Sequence, residues 1–191
     1  MPVKILENNW SINFAAHVVL HGGVLAYPTE SVWGLGCDPD NVGALARLFA
    51  LKQRPIEKGL ILVSGQIEHF DFLLKALPLM LQQRFAQVQS RPTTWLVPDP
   101  FNKVSPLIKG RHASVALRVS HHPELQCLTK RLGYPIVSTS ANPAGREPAD
   151  SRLKLVQYFN SGLDYVLRAS LSGQGQPSTI RDLVSNTVVR Y

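Results

Sequence analysis

Apolar residues recur at helical spacing along six stretches of the chain, which are residues 10–23, 39–52, 66–77, 78–88, 122–133 and 151–159. One face of the first stretch is formed by Ile12, Ala15, Ala16 and Val19. That spacing predicts an amphipathic helix. Ser11 is its predicted N-cap, and Gly22 or Gly23 is expected to end it.

Strand patterns lie between these helices, at residues 23–29, 58–64, 93–98, 114–120, 134–141, 163–169, 178–183 and 187–191. Pro28 is expected to break the first strand. The run KGLILVS is apolar without interruption from Leu60 to Val63, which predicts burial on both faces. Because strands and helices alternate irregularly, we predict an α/β fold of the α+β type, with a mixed, twisted sheet and flanking helices.

Composition adds a preference for anionic partners. The 191 residues are 45% apolar and carry a formal net charge of +7, so we expect one folded domain, residues 1–191, that binds nucleotides, tRNA or acidic surfaces. Cys37 and Cys127 are expected to be small buried residues, although a disulfide between them stays an alternative. No signal peptide or membrane span is expected, which indicates a cytoplasmic protein without membrane contact.

Polar residues cluster at four strand ends. The clusters are YPTES, Tyr27–Ser31; the cationic segment with Lys52, Arg54 and Lys58, running on to Ser64; STSAN, Ser138–Asn142; and the glycine-rich GQGQPSTIRD, with Ser178, Thr179 and Arg181. Each has a structural explanation as a turn, a flexible loop or a solvated charge. Together they favour a ligand site, since strand ends in open α/β sheets converge on crevices.

Several common catalytic motifs are absent. The sequence contains no GxxxxGK[ST] phosphate loop, no GxSxG nucleophile elbow and no HExxH zinc helix. His17 and His21 have the spacing of a metal-binding pair, but valines occupy the positions after His17, so we interpret them as surface histidines.

Five motifs, in order, resemble the YrdC/Sua5 family of threonylcarbamoyl-AMP synthases, and within it the short bacterial TsaC/YrdC type. They are YPTESVWGLGCD, LKQRP followed by KGLILV, VALRV followed by HP, STSAN and PSTIRD. The resemblance implies an open, twisted sheet with a concave basic face. It also implies that L-threonine, bicarbonate and ATP give threonylcarbamoyl-adenylate and pyrophosphate, for the modification of adenosine 37 of tRNA. The catalytic tetrad of the family corresponds to Lys52, Arg54, Ser140 and Asn142.

The resemblance suggests further roles. Lys52 and Arg54 are expected to hold the phosphates and the carbamate, with help from Lys58, while Ser140 and Asn142 donate neutral hydrogen bonds. Arg118 is a candidate for the threonine carboxylate, with a structural ion pair as the alternative. The remaining predicted substrate-binding residues are Tyr27, Pro28, Thr29, Ser64, Ser138, Thr139, Ser178, Thr179 and Arg181. Mg²⁺ is expected to arrive with ATP rather than in a protein cage, and partners of the TsaB, TsaD and TsaE type are implied.

One turn departs from the family pattern, and two other functions stay open. Ser90 and Arg91 stand where the family commonly has Pro-Gly, so a glycine with positive φ could be missing from that loop. A noncatalytic module for structured RNA would also explain the basic charge. Carbamoyl transfer, as in the related domain of hydrogenase-maturation proteins, is the second alternative.

Overall fold

The structure is a computed structural model, and it describes residues 10–171 and 178–190. Within this part nine strands form one sheet in the order β7-β1-β2-β6-β3-β5-β4-β8-β9. The strands are β1 (Leu25–Tyr27), β2 (Gly34–Cys37), β3 (Ile61–Ser64), β4 (Thr93–Pro98), β5 (Ser114–Val119), β6 (Ile136–Ser140), β7 (Tyr165–Val166), β8 (Thr179–Asp182) and β9 (Val188–Arg190). The β1–β7, β3–β5 and β4–β8 pairs are parallel and the others antiparallel, so the predicted mixed sheet is confirmed.

The helices largely follow the predicted stretches. They are α1 (Trp10–Leu20), α2 (Val42–Lys52), α3 (Asp71–Leu74), α4 (Leu79–Ala86), α5 (Pro106–Lys109), α6 (Pro123–Leu132) and α7 (Arg152–Phe159), with 3₁₀ turns at Ile56–Lys58, Ile67–Phe70 and Asn160–Gly162. The Asn41 side chain caps α2, and Gly133, with φ 82°, follows α6. No helix in the described ranges is long and apolar enough to cross a membrane.

Three local predictions were wrong. Ser11 does not cap α1, because the helix begins at Trp10 and the Ser11 hydroxyl lies 2.8 Å from the Tyr165 hydroxyl. Residues 66–77 form a 3₁₀ turn followed by the short α3, not one continuous helix. The strand β2 was not predicted because its sequence, GLGC, has low strand propensity.

The glycines of β2 have a packing reason. A Cβ atom at Gly36 would lie 2.8 Å from the Tyr27 ring and 2.7 Å from the backbone oxygen of Val137, and one at Gly34 would lie 3.0 Å from the same ring. Tyr27 is fully buried, so its ring needs the space that these glycines leave.

Two apolar clusters cover the sheet. One lies between the sheet and α2 and α4, and includes Leu35, Leu45, Leu48, Leu62, Trp95 and Leu117. The other packs α1 and α6 against the opposite face, and includes Ile12, Val19, Leu25, Tyr27, Val63, Leu125 and Ile136. Cys37 belongs to the first cluster as a free, buried thiol, and burial raises its pKa to about 12, as expected of a structural cysteine.

The α1–α6 layer leaves part of its face of the sheet uncovered. Ile61 pairs with Ser138 and with Ala116, and Ala116 pairs with Leu96, so these four side chains form one row. Ser140 and Arg118 lie two residues along β6 and β5 on the same side. All six are only partly buried. We call this surface, formed by Ile61, Leu96, Ala116, Arg118, Ser138 and Ser140, the open face.

Candidate active site

Lys52, Ser140 and Asn142 meet at one end of the open face. Lys52 is the last residue of α2, and its side chain reaches the turn that follows β6. The Lys52 Nζ donates to the backbone oxygens of Ser140 (2.6 Å) and Asn142 (3.0 Å) and to Asn142 Oδ1 (3.0 Å), and it lies 3.2 Å from Ser140 Oγ. The structure therefore brings together residues that are about 90 positions apart in the chain.

This cluster satisfies its own hydrogen bonds. Ser140 Oγ donates to Asn142 Oδ1 at 2.6 Å, and Asn142 Nδ2 donates to the backbone oxygens of Pro143 (3.1 Å) and Arg146 (2.6 Å). An ammonium has three N–H groups, and four oxygens already surround that of Lys52. In this structure the Lys52 ammonium fixes the turn at residues 140–146, and a direct contact of Lys52 with phosphate stays a prediction.

Burial also changes the protonation of Lys52. The residue is only 4% exposed. Burial, together with the nearby positive charge of Arg54, lowers the pKa of Lys52 to about 8. The pKa of the Lys52 ammonium is therefore close to neutral pH, because the residue is buried beside another cation.

Arg54 follows α2 and is half-buried. Its Nε donates to the backbone oxygen of Gly59 at 2.9 Å, and its Nη2 donates to that of Lys58 at 3.1 Å, so the guanidinium holds the short segment before β3. Burial lowers the pKa of Arg54, and the positive charge of Arg190 lowers it further. We call Lys52, Arg54 and Arg190 the cationic rim.

Arg190 is a part of this rim that the sequence patterns did not indicate. It lies on β9 in register with Ile180, and its side chain is exposed. An isolated arginine in a short terminal strand carries no motif, and only the path of the sheet brings its charge towards Arg54. Cations that lower one another's pKa favour the binding of an anion.

Tyr27, Pro28 and Thr29, the predicted threonine pocket, are all buried beside the open face. The Tyr27 hydroxyl donates to Ser138 Oγ at 2.6 Å, and burial raises the pKa of Tyr27 above its usual range. Thr29 Oγ1 donates to the backbone oxygen of Val32 at 2.8 Å and accepts from the amides of the same turn. The two hydroxyls therefore shape the loop, and Ser138 is the member of this group that lies on the open face.

Arg118 has an anionic partner within the protein, Glu30. Its Nη2 donates to Glu30 Oε2, while Glu30 Oε1 accepts from Ser120 Oγ and from the His121 amide, each at 2.7 Å. Burial raises the pKa of Glu30, but Arg118 and these hydrogen bonds outweigh it, so the pKa is lowered overall. The ion pair foreseen as an alternative is thus present. The Arg118 Nε is buried and has no hydrogen-bond partner among the described residues.

Several predicted substrate-binding residues lie away from the open face. Thr139 is buried on the opposite face of β6, because side chains alternate along a strand and its partner is the core residue Leu35. Ser64 is fully buried, and its hydroxyl lies 2.8 Å from His69 Nδ1. Lys58 is exposed and contributes only its backbone oxygen to Arg54. Thr139 and Ser64 therefore lie away from the open face, and their contacts with substrate stay predictions.

The β8 residues are divided between the two faces. Ser178 is buried, and its hydroxyl lies 2.9 Å from that of Thr94. Arg181 pairs with Trp95 on the core face, with its guanidinium 5.7 Å from the ring centroid, and donates to the backbone oxygen of Asn186. Thr179 shares that face with Arg181. In this structure Thr179 and Arg181 lie on the core face of the sheet, and their closure over nucleotide stays a prediction. The GQGQP part of the same prediction lies outside the described residues.

A cavity of about 540 Å³ lies beyond Glu30, at the ends of β3 and β5 and beside residues 86–93. Ser90 and Arg91 line it, and neither has a positive φ. The local backbone therefore accepts these residues without strain in place of the usual glycine. No group of three or more potential metal ligands occurs in the part of the chain that the structure describes.

The open face, its cationic rim and the mixed sheet define an α/β protein with an anion-receptive site. A family model named Sua5_yciO_yrdC, described as "Telomere recombination", matches residues 17–191. The chain belongs to this family. The fold, the sheet and the flanking helices agree with that assignment.

Curated relatives match over nearly their whole length. The chain is 51% identical over 181 residues to a threonylcarbamoyl-AMP synthase of Hahella chejuensis, covering 95% of this chain and 98% of the relative. It is 52% identical over 182 residues to the enzyme of the same name from Stutzerimonas stutzeri, covering 95% and 97%. These two relatives are enzymes that form an adenylate.

Solved structures share the fold. P. abyssi Sua5 complexed with L-threonine superimposes with a TM-score of 0.82 at 28% identity, covering 91% of this chain and 51% of that protein. E. coli YciO gives a TM-score of 0.81 at 24% identity, covering 94% and 87%. The second comparison supports the fold alone.

Proposed function

We propose that this protein is an enzyme that makes threonylcarbamoyl-adenylate and pyrophosphate from L-threonine, bicarbonate and ATP. The observation that carries the proposal is the meeting of Lys52, Ser140 and Asn142 beside Arg54, in a chain about half identical to threonylcarbamoyl-AMP synthases. Its product supports threonylcarbamoylation of adenosine 37 in tRNA, and since that substrate is cytoplasmic, so is the enzyme.

The reaction needs no protein nucleophile. The threonine nitrogen forms a bond to the carbon of bicarbonate, with loss of water, and a carbamate oxygen then attacks the α-phosphorus of ATP. The bond from that phosphorus to the bridging oxygen breaks, and its electron pair leaves with pyrophosphate. Fixed positive charge near the departing phosphates lowers this barrier. The cationic rim supplies this charge, and the Arg54 guanidinium keeps N–H groups that have no hydrogen-bond partner among the described residues.

The open face suits threonine. Arg118 is its one guanidinium, and only its Nη2 has a described partner, so the guanidinium has N–H groups left for a substrate carboxylate. Ser138 and Ser140 lie on the same side of β6 and offer hydroxyl groups between Arg118 and the cationic rim. The carboxylate therefore belongs at Arg118, and the phosphates belong at Arg54.

Magnesium fits this site only as a companion of ATP. The described residues include no cluster of three or more metal-binding side chains, and the Glu30 carboxylate is held by Arg118, Ser120 and His121. When bound, Mg²⁺ neutralises phosphate charge. The protein contributes the orientation of Arg54 and of the residue 140–146 turn.

Partners of the TsaB, TsaD and TsaE type then transfer the threonylcarbamoyl group to tRNA. The net charge of +7 favours direct but weak contact with tRNA as well. A purely RNA-binding protein would show tRNA affinity that falls steeply with salt and no ATP turnover, and this is the second candidate function. Carbamoyl transfer would instead consume carbamoyl phosphate.

The test is pyrophosphate release by the purified protein, with the product identified by mass spectrometry from labelled bicarbonate. Release should require threonine, bicarbonate and Mg·ATP together. Release that continues without threonine, or that depends on carbamoyl phosphate, contradicts the proposal.

A further inference from the structure

Glu30 joins two separate parts of the site. It lies in the loop between β1 and β2, yet it accepts hydrogen bonds from Arg118, Ser120 and the His121 amide, which belong to β5 or to the residues just after it. Its side chain is only 17% exposed. A carboxylate held by three donors on both oxygens has a single orientation, so this contact ties the loop to the end of β5.

Arg118 depends on that contact. Its side chain is 11% exposed, and Glu30 is its ion-pair partner in the described part of the chain. Glu30 also lines the 540 Å³ cavity, so it stands between Arg118 and an open space. Without this carboxylate, the guanidinium could turn towards the cavity and away from the open face.

Arg118 also keeps N–H groups that do not donate to Glu30. Glu30 occupies Nη2, and Nε is buried without a described partner. A guanidinium has five N–H groups in a rigid plane, so holding one of them sets the direction of the others. Glu30 therefore determines where the unused donors of Arg118 point.

We propose that Glu30 is a positioning residue for the amino-acid substrate: it holds Arg118 so that its unused N–H groups meet the carboxylate of threonine. The inference rests on the proposed function. Glu30 itself does not contact threonine. Glu30 does not compete with threonine for Arg118, because moving the carboxylate away from Arg118 would also break its hydrogen bonds with Ser120 and the His121 amide.

The experiment compares Glu30→Gln, which keeps the shape but removes the charge, with Glu68→Gln. Glu68 lines the same cavity with an exposed side chain and is the matched control. Pyrophosphate release is measured with threonine varied at saturating ATP, and then with ATP varied at saturating threonine. Glu30→Gln should raise the KM for threonine about tenfold and leave the KM for ATP within about twofold. Glu68→Gln should change neither, and Glu30→Asp should restore part of the threonine affinity.

Other results would overturn the inference. Equal increases in both KM values would show a merely structural role, and a lower KM for threonine would show that Glu30 competes with substrate. If Glu30→Gln does not fold, Ser120→Ala removes one donor to Glu30 without touching Arg118, and its KM for threonine should rise about threefold while that for ATP stays constant. A wild-type protein that neither binds threonine nor releases pyrophosphate refutes the proposed function itself. Normal wild-type activity with an unchanged Glu30→Gln enzyme refutes only the role of Glu30.

Discussion

Replacing Lys52 with methionine should change stability in a way that depends on pH. Methionine has a similar length but no charge, so Lys52→Met removes the buried ammonium and leaves the oxygens of Ser140 and Asn142 without a donor. In the wild-type protein, burial and the charge of Arg54 lower the pKa of Lys52 from 10.5 to about 8. This difference corresponds to about 3 kcal/mol of destabilisation of the charged form.

The direction of this pH dependence follows from the number of protons bound by the folded and the unfolded protein. The unfolded chain keeps the Lys52 proton up to about pH 10.5, whereas the folded protein releases it near pH 8. Stability rises with pH wherever the unfolded state binds more protons, so the cost is fully present below pH 8 and is relieved between about pH 8 and 10.5. Between pH 7 and pH 9, wild type should therefore gain about 1.4 kcal/mol relative to Lys52→Met.

The measurement is urea unfolding of both proteins at pH 7 and pH 9 and equal ionic strength. Lys58→Met, at an exposed position in the same segment, is the control, and its difference from wild type should stay constant. Pyrophosphate release by Lys52→Met should be lost although the protein folds, because the turn at residues 140–146 is no longer held. A wild-type minus Lys52→Met difference that does not change with pH would refute the reasoning.

Three other outcomes are expected. Arg54→Lys should lower kcat/KM for ATP about 100-fold in the pyrophosphate assay, because the planar guanidinium is lost. A loss of about 100-fold in kcat/KM for threonine alone would show that Arg54 does not bind the phosphates. Gly36→Ala should cost about 2 kcal/mol in urea unfolding, since its Cβ would meet backbone at 2.7 Å, whereas Gly43→Ala, in α2 and with its nearest contact at 3.4 Å, should not destabilise. Burial raises the pKa of the Asp99 carboxyl, but hydrogen bonds from the Lys103 and Val104 amides and from Lys109 outweigh it, so the pKa is lowered overall. The contribution of Asp99 to stability should therefore fade as the pH drops through its folded-state pKa. In thermal melts, Asp99→Asn should show a smaller loss of stability at acidic pH than wild type.

Much of the fold was predictable from local pattern. Periodic apolar residues predicted α1, α2, α6 and α7, and apolar runs predicted β3, β4, β5 and β6, because helix and strand periods are properties of neighbouring residues. Strand β2 was missed because its own residues, GLGC, show no strand pattern. Its glycines are required by the ring of Tyr27, a residue on another strand, and local propensity contains no information about that ring.

The sequence predicted which residues belong to the site but not which contacts they make. Motif order indicated that Lys52, Ser140 and Asn142 belong together, and the structure joins them. It did not show that four oxygens would surround Lys52, nor which of Ser138 and Thr139 would lie on the open face. A strand pattern gives alternation, but which side is open depends on where α1 and α6 pack.

The amino-acid sequence by itself determined most of the elements, the basic character and the residues able to bind anions. Only the tertiary structure decided which of those charges are free. Arg118 is paired with Glu30, Lys52 is enclosed by a turn, and Arg54 meets the charge of Arg190 from the last strand. The physical reason is that hydrogen bonds and charge interactions act over a few ångströms in space, whereas these partners are separated by about 90 or more positions in the chain.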